Sequence, residues 1–222
     1  DWKNVVPGNT KKTLWTSTYN VEDLPQVLQP KSGYFYNTNH SPFLSTSIDE
    51  NPIKNNFSED MGFENYNNNR SIRLKYLIDE KEKLDYNDFK KIKYDHTLPT
   101  PLKYSWMDIN ELFEIDAKKY PYIKNILIDI QKWDRKAEIN SIGAGAFAIF
   151  YSKLGKYYTQ LPAPKIFPKT FLIEALKDTK KHMLKYFGKE KIKLGEFQKL
   201  VRGDKEIPIY GLRDVLTAMK SV

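Results

Sequence analysis

The chain has 222 residues, of which 40% are hydrophobic, 14% aromatic and 29% charged. This is the makeup of a folded protein with enough chain for one large or two small domains. Cysteine is absent, which excludes disulfides, thiolate metal sites and a cysteine nucleophile, and no apolar run approaches the roughly 18–20 residues that cross a bilayer.

From the start, Pro7-Gly8-Asn9 marks a turn, Thr13 to Thr18 is a candidate strand, and Val21 to Leu24 reads as one helical turn stopped by Pro25. Ser32 to Phe43 reads as a short aromatic strand running into a polar turn, because such residues suit a pleated, half-buried surface. Successive strand side chains alternate. Tyr34, Tyr36 and Thr38 therefore face one way, and Phe35, Asn37 and Asn39 the other, taken as the inner face. Pro42 ends any ladder at His40-Ser41. Asparagine is depleted in strands and costly to bury unless its amide has partners. Asn37 and Asn39 thus either bond to their own backbone in a turn or serve a site. Ser45 to Asn69 follows as a long polar loop rich in Asn, Asp and Glu, of a length that usually marks function or mobility.

The rest of the chain reads as helical. Asn69 is a candidate N-cap for a helix carrying Ile72, Leu74, Leu77 and Ile78. Asp85, with Asp88 three residues on, opens a second through an imperfect capping box. Ile109 to Ala117 suggests another, and Pro121 stands at the start of one carrying Ile123, Ile126, Leu127, Ile130 and Trp133. Ile142 to Leu154 is apolar almost all round, as a helix buried on every side must be. Phe171 to Phe187 is an amphipathic helix ending at Gly188. Ile192 to Val201 and Leu212 to Met219 are shorter helical candidates around a brief Ile207-Pro208-Ile209 strand.

The net charge is +8, and nearly all the excess lies beyond Tyr151, in lysines such as Lys177, Lys181, Lys185 and Lys191. A basic stripe can bind phosphates. Here Glu174, Asp178, Glu190 and Glu196 are interspersed, and no zinc-finger spacing or aromatic RNA-binding signature is present. A solvated helical face is the simpler account. Arg202-Gly203-Asp204 can be an adhesion ligand but also reads as a plain turn. There is no glycine-rich phosphate loop, no His-Glu-x-x-His helix and no Gly-x-Ser-x-Gly elbow. His40, His96 and His182 lack metal-ligand spacing. Asp95-His96 could pair as an orienter and a base, or form a surface turn.

Pro30-Lys31-Ser32-Gly33-Tyr34-Phe35-Tyr36-Asn37-Thr38-Asn39-His40-Ser41-Pro42-Phe43, followed by Asn68-Asn69-Arg70-Ser71-Ile72-Arg73-Leu74, resembles the β-chain of the penicillin acylase family. The likeness continues through Tyr86-Asn87-Asp88-Phe89 and Lys93-Tyr94-Asp95. It resumes at Leu172 to Leu176, Tyr186-Phe187-Gly188 and Leu200 to Asp204. The resemblance implies an N-terminal-nucleophile amidohydrolase. In that family a side-chain amide preceding the x-Ser-Pro turn, here Asn39, donates to the oxyanion. The arginine opening the next helix, here Arg70, lies near the nucleophile, where a fixed guanidinium can tune the amine and hold Asn39. A surface helix-start arginine is the alternative for Arg70. Tyr34, Phe35 and Tyr36 would contribute to the acyl pocket as substrate-binding residues.

One departure stands out. The family's nucleophile is a serine at the first residue of the β-chain, with its own α-amino group as base, whereas this sequence begins with Asp1. The expectation is therefore a C-terminal portion of an acylase β-chain, inactive alone. Its partners would be the α-chain and the N-terminal part of the β-chain from the same precursor. A periplasmic or secreted bacterial location and a small N-acyl substrate follow from the resemblance, with no nucleic acid or membrane partner. The expected class is α+β: a mainly helical piece with a few strands, from a four-layer αββα fold. Residues 1–69 would form a strand and loop part carrying the oxyanion segment, and 70–222 a helical part. No cofactor or metal is assigned. Relatives bind calcium through carboxylates, and Asp49, Glu50, Glu59 and Asp60 lie in the corresponding loop, where a solvated acidic loop is the plainer account. A non-enzymatic basic binding module using the lysine-rich C-terminal third is the alternative.

Overall fold

The computed structural model describes residues 5–162 and 165–217. The chain divides into two compact units, Asp1–Asn67 and Asn68–Val222.

The first unit is built from single 3-10 turns at Lys11–Thr13, Val21–Asp23, Pro42–Leu44, Ile48–Glu50, Lys54–Asn56 and Glu59–Met61. Thr10, Ser41 and Ser58 each start a turn by accepting a backbone N–H with the side-chain oxygen, the hydroxyl capping that favours these residues before a helical turn. None of its described hydrophobic side chains is fully buried. Apolar contact comes from Phe43, whose ring centroid lies 5.7 Å from that of Phe57 and 6.1 Å from that of Phe63.

The helical turn before Pro25 forms as its proline suggests. The expected strands at Thr13–Thr18 and Ser32–Phe43 do not: neither finds a ladder partner among the described residues. The backbone bonds locally instead, with Gly33 N–H donating to Pro30 C=O and Tyr36 N–H to Ser45 C=O. The alternation survives as burial. Tyr34 and Tyr36 are half-buried and Thr38 and His40 buried, whereas Phe35, Asn37 and Asn39 are exposed. The two asparagines therefore lie on the outer face of this unit, not the inner one.

The second unit holds the hydrophobic core. Its helices are α1 (Asn69–Asp79), α2 (Tyr86–Lys93), α3 (Lys124–Gln131), α4 (Ile142–Tyr158), α5 (Lys169–Phe187) and α6 (Leu194–Phe197). Strands β1 (Lys199–Arg202) and β2 (Lys205–Pro208) pair antiparallel, with Leu200 opposite Ile207 and a tight turn at Gly203, φ +56°. A mainly helical chain with one small antiparallel sheet is of the α+β class.

α4 is the centre of the unit and packs on α3, α5 and α6. Its run from Gly143 to Phe150 is buried throughout, as an all-round apolar helix must be. Gly145 is required by close approach: a Cβ there would lie 2.2 Å from the Ile192 carbonyl oxygen and 2.9 Å from the Leu194 nitrogen. α5 ends at Gly188 in the left-handed region, φ +68°, with its N–H returning to Leu184.

Several boundaries differ from the sequence reading. The N-cap of α1 is Asn68, one residue earlier than expected, and its side chain accepts from Ser71 N–H. α2 opens at Asp85 through the anticipated Asp85/Asp88 box. Ile109–Ala117 yields only the 3-10 turns Asn110–Phe113 and Ala117–Lys119. α3 starts at Lys124, because residues after Pro121 first form turns. The helix expected over Ile192–Val201 shrinks to α6, since the chain turns out to pair as β1. No helix forms within 212–217, and the end of that expected segment lies outside the described residues.

Gly145→Ala should destabilise the chain by about 1–3 kcal/mol, because the clash is with backbone that cannot rotate away. Gly155, in the same helix, would place a Cβ in open space. Gly155→Ala should stabilise by about 0.5–1 kcal/mol through helix propensity. Paired thermal melts check both signs.

Candidate functional site

In the first unit, the loop from Lys31 to Asn51 shapes the Asn39 turn. Asn39 sits at φ +59°, a left-handed conformation that asparagine tolerates better than most side chains. Its backbone N–H donates to Asn37 Oδ1 at 2.7 Å, so the Asn37 amide oxygen closes its own turn. Next in the chain, His40 is buried and braces the turn from beneath. Its Nδ1 accepts from Thr38 N–H at 3.2 Å, while Nε2 donates to Leu44 C=O at 3.0 Å. This pattern fits a neutral ring protonated at Nε2. The Tyr36 ring stacks on it with centroids 4.8 Å apart, and Tyr34 lies 6.4 Å from Tyr36. Phe35 is 74% exposed.

Two side chains tie the loop ends together. Asn51 Oδ1 accepts from Ser45 and Thr46 N–H while its Nδ2 donates to the Thr46 and Ser47 carbonyls. Glu50 accepts from the Lys31 and Ser32 N–H groups. Hydrogen bonding from Ser32 is the main cause that holds the Glu50 carboxyl below the usual range. Among the described residues no three His, Cys, Asp or Glu side chains gather in a way that would hold a metal ion. In the acidic loop, both oxygens of Glu50 are taken up by these backbone donors.

In the second unit, Arg70 lies in the first turn of α1. Its Nε donates to Asp214 Oδ1 at 2.8 Å. The other oxygen of Asp214 accepts from Asn69 N–H at 2.9 Å and Asn69 Nδ2 at 3.0 Å. Asn69 Oδ1 in turn accepts from Lys103 N–H at 2.6 Å. Asp214 is only 4% exposed, so its charge depends on these donors. It also stands at the N-terminus of α1, where the helix dipole favours an anion. Asp214 was not foreseen from the sequence: it lies 144 residues from Arg70 in a segment expected to be helical. Arg73, one turn on, makes a two-pronged ion pair with Asp95 at 3.0 and 2.7 Å. That hydrogen bonding is the main cause raising the Arg73 pKa. Asp95 therefore does not orient His96. His96 Nε2 meets Glu138 Oε1 at 2.8 Å and its Nδ1 lies 3.0 Å from Tyr94 C=O, a structural pairing.

Compared with sequence models of known families, residues 2–220 match penicillin amidase. By class, then, this is a chain of amide-hydrolase ancestry. The match takes in almost the whole sequence, and the chain belongs to the penicillin amidase family.

Glu50 has its pKa lowered in the fold, so its contribution is present above the unfolded-state value of about 4.3 and is lost as pH falls through the folded value. The protection factors of the Lys31 and Ser32 amides, corrected for intrinsic exchange, should therefore fall as pH drops through the folded value, and Glu50→Gln should lower them in the same way at neutral pH. Asp214→Ala should cost about 3 kcal/mol by stranding Arg70 and Asn69 donors. A double-mutant cycle with Arg70→Ala should give a coupling of at least about 1 kcal/mol; additive effects would show that the two do not act as a unit.

Proposed function

We propose that the chain contributes to an enzyme that hydrolyses an N-acyl amide bond. The nucleophile would be an N-terminal serine supplied by a segment outside this sequence. The serine Oγ attacks the amide carbonyl carbon while its own α-amino group takes the proton. The tetrahedral intermediate then expels the amine, and water releases the acyl group from the resulting ester. Asn39 supplies one oxyanion donor through its carboxamide N–H, aimed where negative charge develops. Arg70, fixed by Asp214, tunes the amine with a permanent positive charge. Tyr34, Phe35 and Tyr36 line part of the acyl pocket. The observation that carries this reading is the family match over residues 2–220, beside which the Asn37 amide oxygen closes the turn that presents Asn39.

The same reading gives the chain its partners, the α-chain and the N-terminal part of the β-chain, in a periplasmic or secreted heterodimer. It also makes this piece the C-terminal portion of the four-layer αββα architecture. The alternative, a basic binding module, draws less support. Lys156, Lys177, Lys180, Lys189 and Lys199 pair with Asp178, Glu174, Glu190, Glu196 and Glu206 respectively, so much of the positive charge is answered locally.

In the assembled enzyme, Asn39→Ala should lower kcat by about 100-fold or more, the loss expected for one preorganised oxyanion donor, while the left-handed φ of +59° costs alanine only about 1 kcal/mol of stability. A near-normal kcat would remove Asn39 from the site.

A further inference from the structure

The second unit contains a cleft of about 580 Å³, inside the range of small-molecule sites and far above the voids of a close-packed interior. α4 forms its floor. Ala148, Ser152 and Gly155 all line it and recur at helical spacing on one face, so the floor is low. Tyr104, Trp106, Tyr151, Tyr158 and Phe197 stand around it as walls. Trp106 is held in place by Tyr104, whose ring lies 5.4 Å away. The one formal charge in the lining is Arg213. Its guanidinium is stationed 4.8 Å over the Trp106 ring, and among the described residues no protein group accepts its N–H bonds.

This combination selects its ligand. Aromatic walls take a flat or branched apolar body through dispersion and desolvation. A guanidinium held over an indole face keeps N–H groups at its edge, and such an edge matches a carboxylate with two parallel hydrogen bonds. A neutral ligand would leave the cation without a counter-charge, and a cationic one would be repelled. We propose that this cleft binds a small amphiphilic monocarboxylate, its apolar body on the α4 floor and its carboxylate on Arg213. The site is built wholly from residues of the second unit and does not rest on the amide-hydrolysis reading.

The test is calorimetric titration of the 222-residue chain with indole-3-propionate and, in parallel, with the matching alcohol, 3-(indol-3-yl)propanol. The acid should bind saturably with Kd below about 1 mM, and the alcohol roughly tenfold or more weaker. Arg213→Gln should bring the acid down to the affinity of the alcohol. Gly155→Leu fills a position where a Cβ meets nothing within 4 Å and should abolish binding of both without lowering the melting temperature. Ser152→Leu, one turn earlier on the same face, blocks the floor independently should the first variant fold poorly. No saturable binding of the acid to about 10 mM would overturn the proposal, as would binding that survives both floor variants. An acid affinity indifferent to Arg213→Gln would overturn the assignment of an anion.

Discussion

The carboxylate of Asp214 is buried where a lone negative charge cannot persist, and the start of α1 is arranged around it. One oxygen takes Arg70 Nε and the other takes both the backbone and side-chain N–H of Asn69. Those donors come from the two residues that open the helix, whose first backbone amides have no partner within the helix itself. Asn68 serves a later amide, that of Ser71. Asp214 serves the earlier one, so the cap is shared between a neighbour in sequence and a residue from the far end of the chain. Asn69 extends the network by accepting from Lys103 N–H. Asn110 pins both polar groups of Leu102 beside it, through Leu102 N–H at 2.9 Å and Leu102 C=O at 2.8 Å. Three segments distant in sequence thus meet at the point that fixes the Arg70 side chain. A solvent-exposed arginine samples many rotamers; one bonded at Nε to a buried carboxylate holds a single direction.

What could be read from the residue order follows from how local each cause is. α4 and α5 were legible because their burial is written in consecutive side chains, and Gly188 because a left-handed C-cap is a property of one residue. The Asp85/Asp88 box was legible for the same reason. Segments whose fate depends on a distant partner were not. The aromatic alternation from Tyr34 to His40 is real, and burial follows it. A strand also needs a neighbour's N–H and C=O groups, and here Ser45 and the local turns answer them. Lys199 to Arg202 carries no apolar period of its own and became β1 only because Lys205 to Pro208 folds back on it. Asp214 had no signal at all. Its role is set by Asn69 and Arg70, and nothing near Gly211 or Leu212 announces it.

The candidate site divides along the same line. That Asn37 and Asn39 bond within a turn was one of two readings that residue preference allowed, and in the structure Asn37 Oδ1 accepts the Asn39 N–H. Which side they face was not evident, since alternation gives two faces without saying which is buried. The family resemblance supplied roles that no local pattern could, and the match over residues 2–220 places the chain in that family while leaving individual roles to experiment.

A left-handed φ at position 39 would be met by glycine at least as well as by asparagine. Backbone need alone therefore does not specify a carboxamide there. Asn37 already closes the turn by accepting the Asn39 N–H, and His40 and Thr38 already brace it from the buried side. Asn39 is carried on the exposed face of a turn that the Asn37 amide oxygen and three contacts of the His40 ring hold in shape. A donor that must reorganise as charge develops loses most of its advantage over water, so a turn braced in this way suits the role proposed for Asn39.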